Sequence, residues 1–482
     1  MARVGSKGVK KFRVDTGAAI LDALVRLGGP GRRLSRDEIA SHAGIARSTV
    51  SAALKDFRKI ERYRVRHGEV PIALFSHGGR EPKSGEREYV SLNPDAGYFG
   101  CLELSHRRIT VAVANMFGEI AHHLDWKSDR FPVEDDPDGA VEHGAEMLEK
   151  VVGPLRISRI AAIGLAVAAP VDPFTAEVLD VRGNGSSRGW VGTDPRAMLR
   201  AALGWNCPMT IANDASLAAF DEFLERERVW KPIPREETRH VSKADAGSER
   251  QLEALLNMLH LKWSSGVGAG LIIHGRHYAG AAGLAGEIGH ARVPHLERRD
   301  RPTEPCLRCG RIECLENVVS YRRLRFWLKK GGLAEEEVEE MERHDIDVHP
   351  LAQEPLIRFA GYIGQVLAGP VAALNPQIIT IGGPTPQADL ASAMVNAIQR
   401  NLAEWCSLAS AQALRGIYIT ESRWSDIGDP EGRLAVAAGA IRRARFYFGW
   451  QYAWNSLANT LLKFSDKTVE PPVRPLPVRL AA

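Results

Sequence analysis

The sequence predicts an α/β protein made of a small basic N-terminal head and a larger body of two lobes. The chain has 482 residues, which is too many for one hydrophobic core. From about residue 98 onward, strand patterns alternate with helix patterns, as in α/β folds. Separate glycine turns follow strands in "SSGVGAG" and in "IGGP", and this repetition predicts duplicated lobes with a cleft between them.

The charge of the chain is divided unevenly between these two parts. Residues 1–90 contain 19 Lys and Arg against 10 Asp and Glu, whereas the remaining residues contain 44 against 49. A basic segment ahead of a mildly acidic body is typical of a nucleic-acid-binding module, although a solvated positive surface gives the same counts.

The composition favours a cytoplasmic protein without a membrane partner. No apolar run reaches the roughly 18 residues of a membrane span, and the N-terminus lacks the apolar centre of a secretory signal. In the cytoplasm, clustered cysteines are more often metal ligands than disulfides.

Three helical segments are predicted in the head. The first covers about residues 17–27, with apolar side chains on one face. Ser35 with Glu38 three residues later is a capping-box signature, which marks the start of the next helix. Gly44 stands where a helix-turn-helix needs its turn, and Val50 stands at its buried aliphatic position.

The helix after that turn, about residues 46–57, is the candidate DNA-recognition helix. It is followed by alternating residues around a Gly-rich centre, which predict a β-wing whose tip could enter a minor groove. The head is therefore predicted to be a winged helix-turn-helix, although any helical hairpin can show part of this pattern. The candidate DNA-contacting side chains are Arg36, Arg47, Ser48, Thr49, Ser51, Lys55 and, in the wing, Arg80.

Strands dominate the start of the body. Three strands joined by tight turns are predicted in "GCLELSHRRITVAVANMFGEIAHHLDW", and a buried strand is predicted in "ISRIAAIGLAVAAPVD". A further short strand in "MTIANDASLAAFDEF" ends at Asn213 and Asp214 and runs into a helix.

Three of the six cysteines lie together in "EPCLRCGRIECLE". They are Cys306, Cys309 and Cys314. Three thiolates do not complete a tetrahedral metal site and do not pair evenly into disulfides, so a fourth partner is required.

The segment "GLAGEIGH", followed by "CLRCGRIECLE", resembles the diagnostic motifs of the ROK (repressor, ORF, kinase) family. The resemblance covers roughly residues 15–445 and implies a two-lobed actin-like, sugar-kinase (ribonuclease H-like) fold. It also implies that His290 is the fourth ligand of a structural zinc ion held with the three cysteines. This sequence departs from the family motif by the two residues between Cys306 and Cys309, and by Glu313 in place of a glycine.

The same resemblance implies a sugar site between the lobes. Its residues are Asn213, Asp214, Glu287, His290 and Glu316. In kinases of the family, the aspartate that matches Asp214 is the general base that activates the accepting hydroxyl. Simpler roles exist, since Asp214 could be a helix N-cap and Glu287 a solvated loop carboxylate. Ala169 stands where the kinases have a glycine that meets the sugar.

The nucleotide side of the cleft is only partly preserved. By resemblance, the first phosphate motif falls at Glu103 and Ser105, and its glycine is missing. The turns that match the other nucleotide motifs keep their glycines, which also serve plain turn geometry. Those glycines are Gly266, Gly268, Gly270, Gly382 and Gly383. We therefore expect no kinase activity.

Four regions are predicted along the chain. They are the head with its linker at 1–97, a first lobe at 98–211, a second lobe with the zinc site at 212–445, and a C-terminal helix with a Pro-rich tail at 446–482. A charged insertion at 226–256 has no predicted role.

These observations predict a sugar-responsive transcriptional repressor of carbohydrate-related genes. Its partners would be operator DNA and a sugar or sugar phosphate, and it would act as a homodimer or homotetramer because inverted half-sites require two heads. Two alternatives are an ATP-dependent sugar kinase with a DNA-binding head, and a regulator controlled by a protein partner.

Overall fold

The structure is a computed structural model. It describes residues 3–4, 12–29, 31–77, 80, 82–83, 86–128, 133–155, 159–180, 189–229, 257–341, 343–383, 388–406, 418–421, 434, 436–445, 447–448 and 453. Most of the insertion at 226–256, and most of the region 446–482 with its expected helix and tail, lie outside these residues.

The head combines helices with short antiparallel strands. Its helices are α1 (Val14–Leu27), α2 (Arg36–Ala43) and α3 (Arg47–Arg66). Its strands are β1 (Arg3–Val4), β2 (Phe12–Arg13), β3 (Leu34–Ser35), β4 (Ala73–Phe75) and β5 (Tyr89–Leu92). Strand β1 pairs with β2, and the others form a sheet in the order β3-β5-β4.

The turn between α2 and α3 matches the sequence prediction. The hydroxyl of Ser35 accepts a hydrogen bond from the backbone N–H of Glu38, and the Glu38 carboxylate accepts one from the backbone N–H of Ser35 at 2.7 Å. Gly44 ends α2 with a φ of 62°, a conformation that strains other residues. Val50 is completely buried. The capping box and the turn glycine are therefore confirmed.

Helix α3 continues to Arg66, well beyond the expected end near residue 57. Its last turns carry charged side chains that have partners inside the head. Arg58 forms a buried ion pair with Glu88, and the carboxylate of Glu61 accepts a hydrogen bond from the backbone N–H of Ile72 at 3.0 Å. Charged residues with internal partners look like a solvated segment in the sequence, and for this reason the predicted end of the recognition helix was wrong.

The first lobe contains a five-stranded sheet in the order β10-β9-β6-β7-β8 within the described residues. Its strands are β6 (Tyr98–Leu104), β7 (Arg108–Asn115), β8 (Ile120–Lys127), β9 (Ile160–Val167) and β10 (Met209–Asn213). The first three are antiparallel neighbours, as predicted, and β9 and β10 are added in parallel.

The second lobe repeats this topology. Its strands are β11 (Met258–Trp263), β12 (Val267–Ile273), β13 (Arg276–His277), β14 (Ile378–Gly382) and β15 (Tyr418–Glu421). Their order is β13-β12-β11-β14-β15, so an antiparallel meander is again extended by two parallel strands. The sheet topology confirms the predicted duplication.

Helices cover both sheets. In chain order they are α4 (Pro137–Val152), α5 (Pro195–Leu203), α6 (Asp214–Val229), α7 (Leu315–Val319), α8 (Tyr321–Lys330), α9 (Glu335–Glu340), α10 (Arg343–Val348), α11 (Pro350–Leu374), α12 (Ala388–Trp405) and α13 (436–445). Helix α11 is long and apolar enough to cross a membrane, but 67% of its apolar window is buried inside the protein, as in a core helix.

Helix α13 packs between the lobes at two glycines. A Cβ on Gly164 of β9 would lie 2.2 Å from the carbonyl oxygen of Ala440, and a Cβ on Gly439 would lie 1.9 Å from that of Leu217 in α6. The sequence prediction had placed residues 436–445 within the second lobe. The structure corrects this, because α13 touches β9 of the first lobe as closely as it touches α6.

The same helix also reaches the head. The guanidinium of Arg445 donates to the carbonyl of Val25 in α1 and to the carbonyl of Met116 after β7, both at 2.7 Å. One apolar cluster includes residues of α1 and α3, the face of the first sheet that α13 covers, and Ala437, Ala440 and Ile441 of α13 itself. The head and the first lobe therefore share a continuous core.

We expect substitution of Gly164 by Ala to lower the free energy of unfolding by about 1–3 kcal/mol, because the added methyl overlaps the backbone of α13. The control is substitution of Gly369 by Ala in α11, where a Cβ would meet nothing within 4 Å and where Ala favours the helix by about 0.5–1 kcal/mol. Urea unfolding followed by circular dichroism measures both. Equal stability of the two variants would contradict this packing.

Candidate functional site

The candidate site lies where strand ends of both lobes approach each other. Asp214 begins α6 directly after β10, and Glu103 is near the end of β6 in the first sheet. Lys262 lies near the end of β11 in the second sheet. The three groups interact: burial raises the pKa of Glu103, Lys262 lowers it, and Asp214 raises it further.

Asn213 and Asp214 are held by the start of α6. The side-chain oxygen of Asn213 accepts hydrogen bonds from the backbone N–H groups of Ala215 (2.9 Å) and Ser216 (3.2 Å), which makes Asn213 the N-cap. The Asn213 amide also donates to the carbonyl of Ala169 at 3.4 Å. The capping role that the sequence left open for Asp214 is thus filled mainly by its neighbour.

Lys262 is a site residue that the sequence prediction missed. Its ammonium group forms an ion pair with the carboxylate of Asp214. A signal existed in the sequence, since His260 and Lys262 are polar residues two positions apart in an otherwise apolar strand and therefore share one face. That face packs toward α6.

The predicted metal ligands are brought together. The ligand atoms of His290, Cys306, Cys309 and Cys314 all lie within 4.8 Å of one another, and the four residues are buried. Three sulfurs and one imidazole nitrogen in a compact group fit a tetrahedral ion with four protein ligands. These residues could therefore hold a metal ion.

The thiols of this cluster influence one another. Hydrogen bonds from Cys314 and from the imidazole of His290 lower the pKa of Cys306, whereas burial raises the pKa of Cys309. A thiolate among neighbouring thiols attracts a cation, so the electrostatics of the cluster agree with its geometry.

His290 connects this cluster to the cleft. Its Nδ1 lies 4.0 Å from the sulfur of Cys306, and its Nε2 lies 3.8 Å from a carboxylate oxygen of Glu287. One ring nitrogen is thus turned toward the thiols and the other toward the cleft carboxylate. Burial raises the pKa of Glu287, and the nearby Asp214 adds to this effect.

Glu316 connects the cluster to the glycine turn. One of its carboxylate oxygens lies 3.6 Å from the sulfur of Cys306, and the other accepts a hydrogen bond from the backbone N–H of Val267 at 3.0 Å. A Cβ on Gly266 would approach this second oxygen to 2.9 Å. A side chain at position 266 would therefore crowd the carboxylate of Glu316.

Glu313, which departs from the family motif, has ion-pair partners on the neighbouring loop. Its carboxylate lies 2.6 Å from the guanidinium of Arg292 and 2.9 Å from that of Arg301. The substitution for glycine thus adds contacts between the cysteine loop and the segment that follows His290.

The remaining nucleotide-like glycines are explained by close packing. A Cβ on Gly268 would meet Ala215 of α6 at 3.3 Å, and one on Gly270 would lie 2.6 Å from the carbonyl of Ala215. A Cβ on Gly383, which follows β14 and Gly382, would lie 2.6 Å from the carbonyl of Trp263. These glycines therefore have structural roles, and they are not by themselves a sign of a bound nucleotide.

The position of the first phosphate motif is occupied by side chains. Glu103 is 7% exposed, and burial raises its pKa to about 8. The backbone N–H and the hydroxyl of Ser105 both donate to the carbonyl of Arg108, at 3.0 and 3.2 Å, and so close the turn between β6 and β7. This turn lacks the open glycine backbone that phosphates approach in the kinases.

The candidate DNA-contacting residues separate into two groups. Ser48 and Lys55 are exposed on α3, as is Arg47, which pairs with Asp37. The other four residues have internal contacts or partial burial. Arg36 pairs with Glu88, Arg80 pairs with Glu86, Ser51 donates to the carbonyl of Arg47, and Thr49 is half-buried.

The longer α3 adds basic residues that the sequence prediction did not include. Lys59, Arg62 and Arg66 are exposed and continue the face of Lys55 at helical spacing. A row of cations along one exposed helix face suits the phosphates of a nucleic acid.

Comparison with known proteins relates the body to one family. A model of the ROK family matches residues 242–423. The xylose repressor of Caldicellulosiruptor bescii is 25% identical over 62% of this chain and 62% of its own length. The putative xylose repressor of Caldicellulosiruptor sp. strain Rt8B.4 is 24% identical over 73% and 79%. The glucokinase of Halalkalibacterium halodurans is 29% identical over 36% and 48%.

Solved structures share the fold. A ROK family transcriptional regulator, a homologue of the E. coli MLC protein, covers 93% of this chain and 99% of its own, with a TM-score of 0.60 and 18% identity. A ROK family glucokinase from Streptomyces griseus, in complex with glucose and AMPPNP, covers 73% and 100%, with a TM-score of 0.50 and 19% identity. The described fold is therefore that of ROK regulators and sugar kinases.

Proposed function

We propose that this chain, which carries a ROK family domain over residues 242–423, is a cytoplasmic, sugar-responsive transcriptional repressor. One observation carries the proposal. Carboxylate, amide and imidazole groups suited to sugar hydroxyls gather in a cleft of a chain whose head exposes a basic helix face. The relatives named as xylose repressors support the same function.

In this proposal the sugar binds among the cleft groups described above. Asp214 and Glu287 accept hydrogen bonds from its hydroxyls, and Asn213 supplies an amide. His290 and Glu316 are oriented by the neighbouring cysteine cluster. D-xylose, D-glucose and N-acetyl-D-glucosamine are the first candidates.

The metal in the cluster is proposed to be zinc with a structural role. All four ligands come from the protein, so no position is open for activating water. The ion would fix the segment from His290 to Glu316 and thereby two of the proposed sugar contacts.

The head is proposed to be a winged helix-turn-helix that binds operator DNA through the exposed face of α3. An inverted operator has two half-sites, so a homodimer or homotetramer would supply two heads. The pairing of Arg80 with Glu86 is on the exposed surface, where such pairs are weak, so the guanidinium can exchange its partner for a phosphate or a base edge.

Helix α13 supplies a route from the cleft to the head. It touches β9 of the first lobe and α6 of the second, and Asp214 begins α6. Arg445 then connects α13 to α1. A rotation of the lobes on sugar binding would move α13 and with it the head. This coupling requires that the two arrangements differ in both sugar affinity and DNA affinity.

We expect the purified protein to bind DNA from upstream of its own gene, and one of the three sugars to weaken that binding by about tenfold, which corresponds to about 1.4 kcal/mol of coupling. Fluorescence anisotropy at fixed salt measures both effects, because phosphate contacts make affinity salt-dependent. DNA binding that no sugar changes would contradict the sugar-responsive function and favour control by a protein partner.

The kinase alternative is tested with the same sugars. Asp214 and the nearby glycine turn favour it, whereas Glu103 and the Lys262–Asp214 ion pair oppose it. A coupled assay with ATP is expected to show no sugar-dependent ADP release. Turnover with any of the sugars would instead support a bifunctional kinase.

Substitution of Arg445 by Gln is expected to reduce the tenfold sugar effect on DNA affinity to less than about threefold, since the contacts with Val25 and Met116 are lost. The anisotropy experiment above, repeated with the effective sugar, measures the change. Substitution of the exposed Arg299 by Gln is the control, and it should keep the full response. A full response in the Arg445 variant would rule out this route.

The protein as purified is expected to contain about one zinc ion per chain, measured by inductively coupled plasma mass spectrometry. Substitution of Cys314 by Ser should remove most of it, because a hydroxyl is a poor zinc ligand. Substitution of Cys207 by Ser is the matched control, since Cys207 is also buried but lies outside the cluster. Equal zinc content in the two variants would contradict the site.

A further inference from the structure

The carboxylate of Asp214 has both oxygens engaged in this structure. Its Oδ1 accepts a hydrogen bond from the backbone N–H of Ala215 at 2.8 Å, and its Oδ2 is paired with the ammonium of Lys262. Only 14% of the Asp214 side chain and 24% of the Lys262 side chain are exposed. A hydroxyl that binds to Oδ2 must therefore compete with Lys262 in a site with little room.

Glu103 is a second carboxyl group with which the ammonium of Lys262 could pair. It lies in the first sheet, is 7% exposed, and its Oε2 has no hydrogen-bond partner among the described residues. A buried carboxyl oxygen without a partner is unfavourable, because it has given up its hydrogen bonds to water. Lys262 already acts on Glu103 electrostatically from across the cleft.

We propose that Lys262 is an exchanging counter-ion, so that a sugar hydroxyl on Asp214 displaces its ammonium group and the ammonium then pairs with Glu103. This inference rests on the proposed binding of sugar in the cleft. The two ion pairs differ in what they connect, because Glu103 lies in the first sheet while Lys262 lies in the second. The exchange would thus join β11 of the second sheet directly to β6 of the first sheet when the sugar is bound.

The exchange releases one proton from Glu103. Glu103 is faced by Lys262 from β11, Asp214 from α6, Asp125 from β8 and Arg108 from β7. Burial is the largest influence and raises the pKa of Glu103 to about 8, so the group is mainly a neutral acid at pH 7. When the ammonium arrives, the O–H bond of Glu103 breaks and its proton goes to the buffer, while Lys262 remains charged throughout.

The sign of the pH dependence follows from this release. Because sugar binding releases a proton, a higher pH favours the bound state until Glu103 is ionised in the free protein. Affinity for sugar should rise with pH below about 8, by up to about tenfold per pH unit, and level off above it.

The test is isothermal titration calorimetry at pH 7.0 with D-xylose, D-glucose and N-acetyl-D-glucosamine, in phosphate and in Tris. These buffers differ in their enthalpy of ionisation, so the difference between the observed enthalpies counts the protons released. The wild-type protein is expected to release between about 0.5 and 1 proton per bound sugar, and its affinity should increase about three- to tenfold from pH 6.5 to 7.5.

Variants separate the exchange from other sources of protons. The Glu103→Gln and Lys262→Met proteins should bind sugar with a proton count near zero and a flat pH profile. Lys262→Arg keeps the charge and should keep the release. Thermal unfolding of each variant checks that the fold is intact. An unchanged proton count in folded Glu103→Gln would overturn the exchange.

The outcomes also separate this inference from the proposed function. Sugar binding without proton release would overturn the exchange alone and leave the sugar-responsive function standing. If none of the three sugars binds to the wild-type protein at millimolar concentration, both the exchange and the sugar-responsive function are contradicted.

Discussion

Helix α13 contacts both lobes at points where the two backbones lie too close for a side chain between them. The rest of the architecture depends on these contacts. Gly164 allows the backbone of α13 to lie against the first sheet, and Gly439 allows it to lie against α6. Because the same helix carries Arg445 to the carbonyl of Val25, one short segment contacts the two lobes and the head. Protein interiors that are packed this closely deform little, so a shift of one lobe would also move α13.

The cleft itself is organised by the cysteine cluster on one side and by charge on the other. The cluster turns His290 toward Glu287 and places Glu316 on the glycine turn. On the opposite side, Lys262 pairs with Asp214, and both influence the buried Glu103. One side of the cleft is thus held by sulfur and imidazole groups, and the other side by charged side chains.

The features that were predicted correctly from the sequence are those set by local chemistry. A capping box, a turn glycine and a cysteine motif depend on residues close in sequence, and the structure contains all three. The misses depend on distant partners. The predicted end of α3 was too early, because Arg58 and Glu61 have their partners in later segments of the chain. Lys262 was missed because its partner, Asp214, is 48 positions away in the chain, and that pairing is visible only once the strands are assembled.

The shared core also bears on how the protein is made. The apolar cluster of α1 and α3 includes α13, which begins only at residue 436. During synthesis the N-terminal head emerges long before that helix, so its hydrophobic core stays unfinished until α13 has left the ribosome. A truncated product would then carry a head with exposed apolar surface, which would make it a target for proteases.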